Sequence, residues 1–158
     1  MKKWITIAAA VFIVIGTAAS ILLYQTSRNP LDLKIEKALL RVEKETSIES
    51  VENTSFYNGS KPYVVVTGKN SNNETMVAWI PNEKGKIVER KWADGLSKDQ
   101  ALSKLRDEKQ PKEVLSVRLG YESVGPVWEI TYLDNQDNLN YFYLLFSTGE
   151  WWRKIENL

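Results

Sequence analysis

The side chains that most enzymes use for nucleophilic and acid–base work are missing from this chain. Its 158 residues include no Cys and no His. That removes the imidazole base, the thiolate nucleophile and any His- or Cys-ligated zinc or copper site. A Ser–His–Asp triad is impossible. A Ser–Lys acyl enzyme needs Lys three positions after Ser, and no Ser in the chain has one. Thr67-Gly68-Lys69 and Ser71-Asn72-Asn73 resemble other motifs of that enzyme class. Without the nucleophile they read better as a strand end and a turn. Paired carboxylates for glycoside hydrolysis stay open, because their separation is set by the fold. No catalytic, cofactor-binding or metal-ligating residue is assigned, and the chain reads as a non-enzyme.

The chain is instead rich in aromatic surface, with six Trp and seven Tyr. Trp79 and Trp128 fall in strand patterns and are expected in the core. Trp128 shares a face with Ile130 and Tyr132, and Glu129 alternates to the opposite, solvated face with Val127 and Thr131. Trp92 follows Glu89-Arg90-Lys91 at a domain boundary, where an interdomain plug or a partner contact is expected. Trp151 and Trp152 are adjacent in a strand, so one enters the core and the other points outward. Tyr141 and Tyr143 share one face of the neighbouring strand. An exposed aromatic strip suits a protein partner; the alternative is that the two domains pack together and cover it. Trp92, Tyr141, Tyr143, Trp151 and Trp152 are therefore the candidate partner-contact residues.

These residues need elements to carry them, and the first is N-terminal. Lys2 and Lys3 precede an uncharged, largely apolar run over 4–24, with Trp4 and Tyr24 at its ends. A helix of about 21 residues rising ~1.5 Å each covers ~30 Å, the thickness of a bilayer's hydrocarbon core. Interfacial aromatics at both ends and lysines on the short side predict a membrane anchor, with everything after Tyr24 outside the cytoplasm. Thr17-Ala18-Ala19 offers a signal-peptide cleavage site instead, but Ile21, Leu22 and Leu23 prolong the run beyond a usual h-region of about 7–15 residues. About 130 residues remain, enough for one medium domain or two small ones, with no disulfide to staple them. The whole chain has 21 basic and 20 acidic residues; without Lys2 and Lys3 the balance is 19 to 20. Signs are interspersed, so no basic stripe exists for nucleic acid.

One unit is used twice. After a polar segment ending at Asn29-Pro30, Leu31, Ile35, Ala38, Leu39 and Val42 recur at helical spacing, predicting a helix over 31–46. Strands are expected over 48–57, 62–68, 75–80 and 86–90, with Asn58-Gly59 as a hairpin turn and Pro81 as a stop. Ser97 with Gln100 forms a capping box for a second helix over 97–109, whose apolar face is Ala101, Leu102 and Leu105. Strands follow over 113–121, 126–134, 139–147 and 150–155. At an offset of 64, Tyr57 falls on Tyr121, Pro62 on Pro126, Thr67 on Thr131 and Gly85 on Gly149. The order of elements and turns predicts an α+β chain. Its expected domains are 1–27 (anchor), 28–92 and 93–158, the last two each one helix on a four-stranded antiparallel sheet. One fused eight-stranded sheet is the alternative.

Several segments then point to a family. Tyr63-Val64-Val65-Val66-Thr67-Gly68, Trp79-Ile80-Pro81, Gly95-Leu96-Ser97-Lys98-Asp99-Gln100-Ala101, Trp128-Glu129-Ile130-Thr131-Tyr132-Leu133-Asp134 and Ser147-Thr148-Gly149 occur in that order behind the N-terminal run. Together they resemble the YpmB family of Firmicutes, the cell-wall elongation regulator TseB-like proteins. The resemblance implies two tandem cystatin-like domains, the second akin to PepSY domains, and no cofactor. It also implies a role at the outer face of the cell membrane, with a penicillin-binding transpeptidase as partner in cell-wall elongation. A PepSY-like peptidase-inhibiting or protease-regulating role is the alternative.

Overall fold

A computed structural model describes the backbone of residues 2–156 and the side chains of 12–20 and 31–156. The chain divides into two compact units, 1–37 and 38–158. The elements run α1 (Lys2–Glu45), β1 (Ile48–Asn58), β2 (Pro62–Asn70), β3 (Thr75–Pro81), β4 (Val88–Lys91), a 3-10 turn at Trp92–Asp94, α2 (Lys98–Lys109), β5 (Glu113–Glu122), β6 (Gly125–Leu133), β7 (Leu139–Leu145) and β8 (Trp151–Ile155). They build two separate four-stranded antiparallel sheets, ordered β1-β2-β3-β4 and β5-β6-β7-β8. The fused sheet is thus excluded.

The first helix departs from expectation. It does not start after Asn29-Pro30 but runs unbroken from Lys2 to Glu45. Proline removes one backbone donor, a local cost that helical turns on both sides can absorb. The expected anchor, with Trp4 and Tyr24 at its ends, lies largely outside the residues whose side chains are described. Among the described residues no helix is long and apolar enough to cross a membrane.

The central strands of the first sheet, β2 and β3, are buried on both faces, which explains their near-continuous apolar runs. Val64, Val66, Ala78 and Ile80 face Ala38 and Val42 of α1 in one core. Val65, Val77 and Trp79 point the opposite way, into a second core. That second core also contains Ala101 and Leu105 of α2 and Leu119, Trp128, Ile130, Phe142 and Leu144 of the second sheet. As expected, Leu105 is buried with Trp128 and Ile130; Leu102 packs beside them half-buried. The capping box forms, with Ser97 Oγ accepting from the Gln100 N–H and the Gln100 side chain accepting from the Ser97 N–H.

The internal repeat is visible in turn chemistry. Asn70 Oδ1 accepts the N–H groups of Asn72 and Glu74, closing the β2–β3 turn. Sixty-four positions on, Asp134 Oδ1 accepts those of Gln136 and Asn138. Asn73 and Asp137 both take the left-handed conformation, at φ 60° and 64°. Such side-chain-closed turns suit Asn and Asp at these positions.

Aromatic rings join the halves. Trp79 stacks edge-on against Phe146 at 5.6 Å and tilted against Tyr121 at 6.5 Å. Tyr63 lies 5.1 Å from Tyr121. The Tyr57 ring covers Gly120 so closely that a Cβ there would sit 2.3 Å from it. The two largest rings differ in one respect: Trp128 Nε1 donates to the Leu96 carbonyl at 2.9 Å, whereas the buried Trp79 Nε1 has no hydrogen-bond partner among the described residues. Replacing either Trp by Phe removes similar volume, so the difference isolates the hydrogen bond. Trp128→Phe should destabilise more than Trp79→Phe, by about 1 kcal/mol; equal losses in urea unfolding would contradict this.

Candidate partner-contact site

The site is built on the last two strands. β8 is the edge strand of its sheet and pairs only with β7. Leu144 lies opposite Trp151, then the register slips, so that Tyr143 faces Arg153 with Trp152 bulged between. A bulge sets two residues against one. Here it brings Trp152 edge-on to Tyr143, with ring centres 5.8 Å apart. Trp152 is therefore half-buried on the face away from α2. Trp151 is the exposed ring, at 51 %, and it sits with Glu108, Lys109 and Lys154 around a shallow cleft beside the end of α2. Alternation alone does not foresee this: the ring on the helix side stays open, beside Glu108 and Lys109 at the end of α2.

The other candidates occupy different places. Tyr143 is buried and Tyr141 half-buried. Trp92 is half-buried, edge-on to Trp128 at 6.1 Å and Phe146 at 6.2 Å. It stands at the seam between the halves, away from the Tyr143–Trp152 pair.

Glu129 does not lie on a solvated face. It is only 4 % exposed, accepts the Tyr143 hydroxyl at 3.0 Å and forms an ion pair with Arg118 at 2.8 Å. Charge pairing of this kind is what makes a buried carboxylate tolerable. A second acid, Glu122, escaped sequence reading altogether because its partners are more than sixty residues away. It accepts the Tyr57 hydroxyl at 2.6 Å, the Ser60 N–H at 3.1 Å and the Ser60 hydroxyl. The β1–β2 hairpin is thereby latched onto the β5–β6 tip. Burial, the hydrogen bond to Glu122 and nearby carboxylates push the Tyr57 phenol far above its ordinary range. Burial, followed by the charge of Glu129, does the same to Tyr143. The acids are held by donors within the fold. Among the described residues no cluster of acids is placed to hold a metal ion.

The comparisons with known proteins agree with one another. Residues 37–81 match the cell wall elongation regulator TseB-like domain. The "Probable cell wall elongation regulator TseB" of Bacillus subtilis strain 168 is 27 % identical over 154 residues, covering 95 % of this chain and 96 % of that protein. The solved structure of the YpmB protein from Bacillus subtilis is 30 % identical and covers 77 % of this chain and 95 % of that one, with a TM-score of 0.73. This chain belongs to the TseB/YpmB family. The family is that of a regulator, and a cell-wall elongation role is supported for the chain. Within a TseB-like protein, the Trp151–Trp152 edge offers exposed aromatic surface, Glu122 ties the two sheets together and Glu129 is paired within the second sheet.

The two phenols give a pH test. A tyrosine raised in the folded state stabilises the fold fully below its unfolded value of about 10 and loses that contribution as pH rises towards the folded value. Stability should thus fall above about pH 10. Tyr57→Phe should cost about 1.5–3 kcal/mol at pH 7, the scale of a hydrogen bond to a charged group. Its alkaline loss should also be shallower than that of the parent. Parallel curves of urea midpoint against pH from 7 to 11 would show that Tyr57 is not the group responsible.

Proposed function

We propose that this chain is a non-enzymatic regulator, held at the outer face of the cell membrane by one N-terminal helix, that acts on a penicillin-binding transpeptidase by direct contact. In this reading 1–27 form the anchor, and 28–92 and 93–158 form two cystatin-like domains. Membership of a family named for cell-wall elongation carries the regulatory role. The anchor is supported by Phe12, Ile13, Val14 and Ile15, consecutive helical residues each 61–80 % exposed. Apolar side chains pointing all round a helix need an apolar environment to cover them. Action by contact rather than chemistry is supported by the missing His and Cys and by acids already engaged within the fold.

Trp151 is the anchor residue of the contact in this proposal, because covering an exposed Trp removes a large apolar area at small entropic cost. Trp151→Ser should weaken capture of the transpeptidase by ~2 kcal/mol or more, the hot-spot scale. It should move the unfolding free energy by less than ~0.5 kcal/mol, as surface changes usually do. Trp152→Ser should destabilise the fold, because that ring packs on Tyr143. The test is photo-crosslinking from position 151 of the full chain in living cells, with the adduct identified by mass spectrometry. Recovery of a transpeptidase supports the proposal. Recovery of a protease instead would assign the chain to the peptidase-regulating class, and protection of the 28–158 region inside the cytoplasm would overturn the topology.

A further inference from the structure

The four sheet edges are not alike. β4 carries Arg90 and Lys91, β5 carries Arg118, and β8 carries Arg153 and Lys154. β1 is the longest at 11 residues and contains no Lys, Arg or Pro. Basic residues, proline and β-bulges are common devices that blunt an edge against pairing with another chain; of these, β1 has only the two register shifts near its start. Residues 49–53 of β1 are all exposed along this sheet edge, and the pairing to β2 shifts register twice there, between 48 and 50 and between 51 and 53. Beside it runs a groove of about 660 Å³ between the edge and the last turns of α1, floored by Leu39, Val42, Ile48 and Val51. Val51 is 44 % exposed.

Charge selects the occupant. Glu43, Glu49 and Glu52 are exposed around this groove and edge and make no hydrogen bond or ion pair among the described residues. Nearby cations do not neutralise them. Arg41 is held by Glu45 and by the carbonyls of Pro81 and Gly85. Lys69 donates to Thr75. Lys44, one position after Glu43, projects about 100° further round the helix. The acids disfavour two β1 edges meeting, since like charges repel across a strand pair. They favour a strand that carries Lys or Arg.

We infer that the β1 edge adds an extended, cationic segment of the partner protein as a fifth strand, with its apolar side chains in the α1–β1 groove. Backbone hydrogen bonds supply much of the affinity in this mode, and alternate side chains supply the specificity. The inference rests on the reading of the chain as a partner-binding regulator, and it concerns a surface on the other sheet from Trp151.

The direct probe is a fluorescein-labelled ten-residue peptide of alternating Lys and Val, with an alternating Glu and Val peptide as control, titrated against the full chain in mild detergent. The Lys peptide should bind at least ten times more tightly than the control, and added salt should weaken it. The double variant Glu49→Lys/Glu52→Lys should lower its affinity at least tenfold. The Trp151→Ser variant should leave it unchanged, which separates this surface from the proposed transpeptidase contact. Equal binding of the two peptides, or an unaltered affinity in the double variant, would overturn the inference. So would sedimentation showing a self-associated chain that the double variant converts to monomer, because the edge would then belong to a second copy. A fall in the unfolding midpoint of the double variant is controlled by Glu49→Gln/Glu52→Gln, which removes the charge without reversing it and should still weaken the Lys peptide.

Discussion

The second burial of the first sheet governs the rest of the structure. A four-stranded antiparallel sheet with one helix usually leaves its other face to water. Here Tyr57, Val65, Val77 and Trp79 fill that face and enter one core with α2 and the second sheet. A repeat of two helix-and-sheet units thereby becomes a single body over 38–158. The Glu122 latch follows from this packing: once Tyr57 lies across Gly120, its hydroxyl falls on the carboxylate, and Ser60 completes the shell. Burial then makes the acid dependent on its donors, because an unpaired buried carboxylate is far more costly than a paired one.

Rigidity of this kind suits the proposed action by contact. A partner surface built on strands of a packed body loses little entropy on binding. The β7–β8 edge is stiffened by the Tyr143–Trp152 pair and by the Arg118–Glu129–Tyr143 network beneath it. Trp151 is presented from that support. The β1 edge is fixed in turn by β2, both of whose faces are packed. Each surface thus has a defined geometry before any partner arrives.

Much of this was legible in the residues. The strands were readable because Asn58-Gly59, Pro81, the Asn70–Asn73 and Asn135–Asn138 turns and Ser147-Thr148-Gly149 punctuate apolar runs that agree with the observed spans to within a few residues. The α2 cap was readable from Ser97 and Gln100 alone. What failed had non-local causes. Glu129 alternates outward as its position demands, yet Arg118, eleven residues earlier in sequence, and Tyr143 on the next strand enclose it. Glu122 is defined by partners in the other half. Trp151 and Trp152 do take opposite faces, yet the ring on the helix side stays exposed at the sheet edge instead of entering the core. At Pro30 a local breaker was overridden by helical sequence on both sides. The continuous run Tyr63-Val64-Val65-Val66 did carry a signal of two-sided burial, since a half-solvated strand would have alternated.

The shared core is tested most directly by unfolding the full chain in urea while following each half with its own probe. A fluorine label at Phe56 would report the first sheet, and one at Phe142 the second. One cooperative body predicts coincident midpoints and slopes for the two labels. Two separated transitions, with the second half persisting after the first has unfolded, would contradict it.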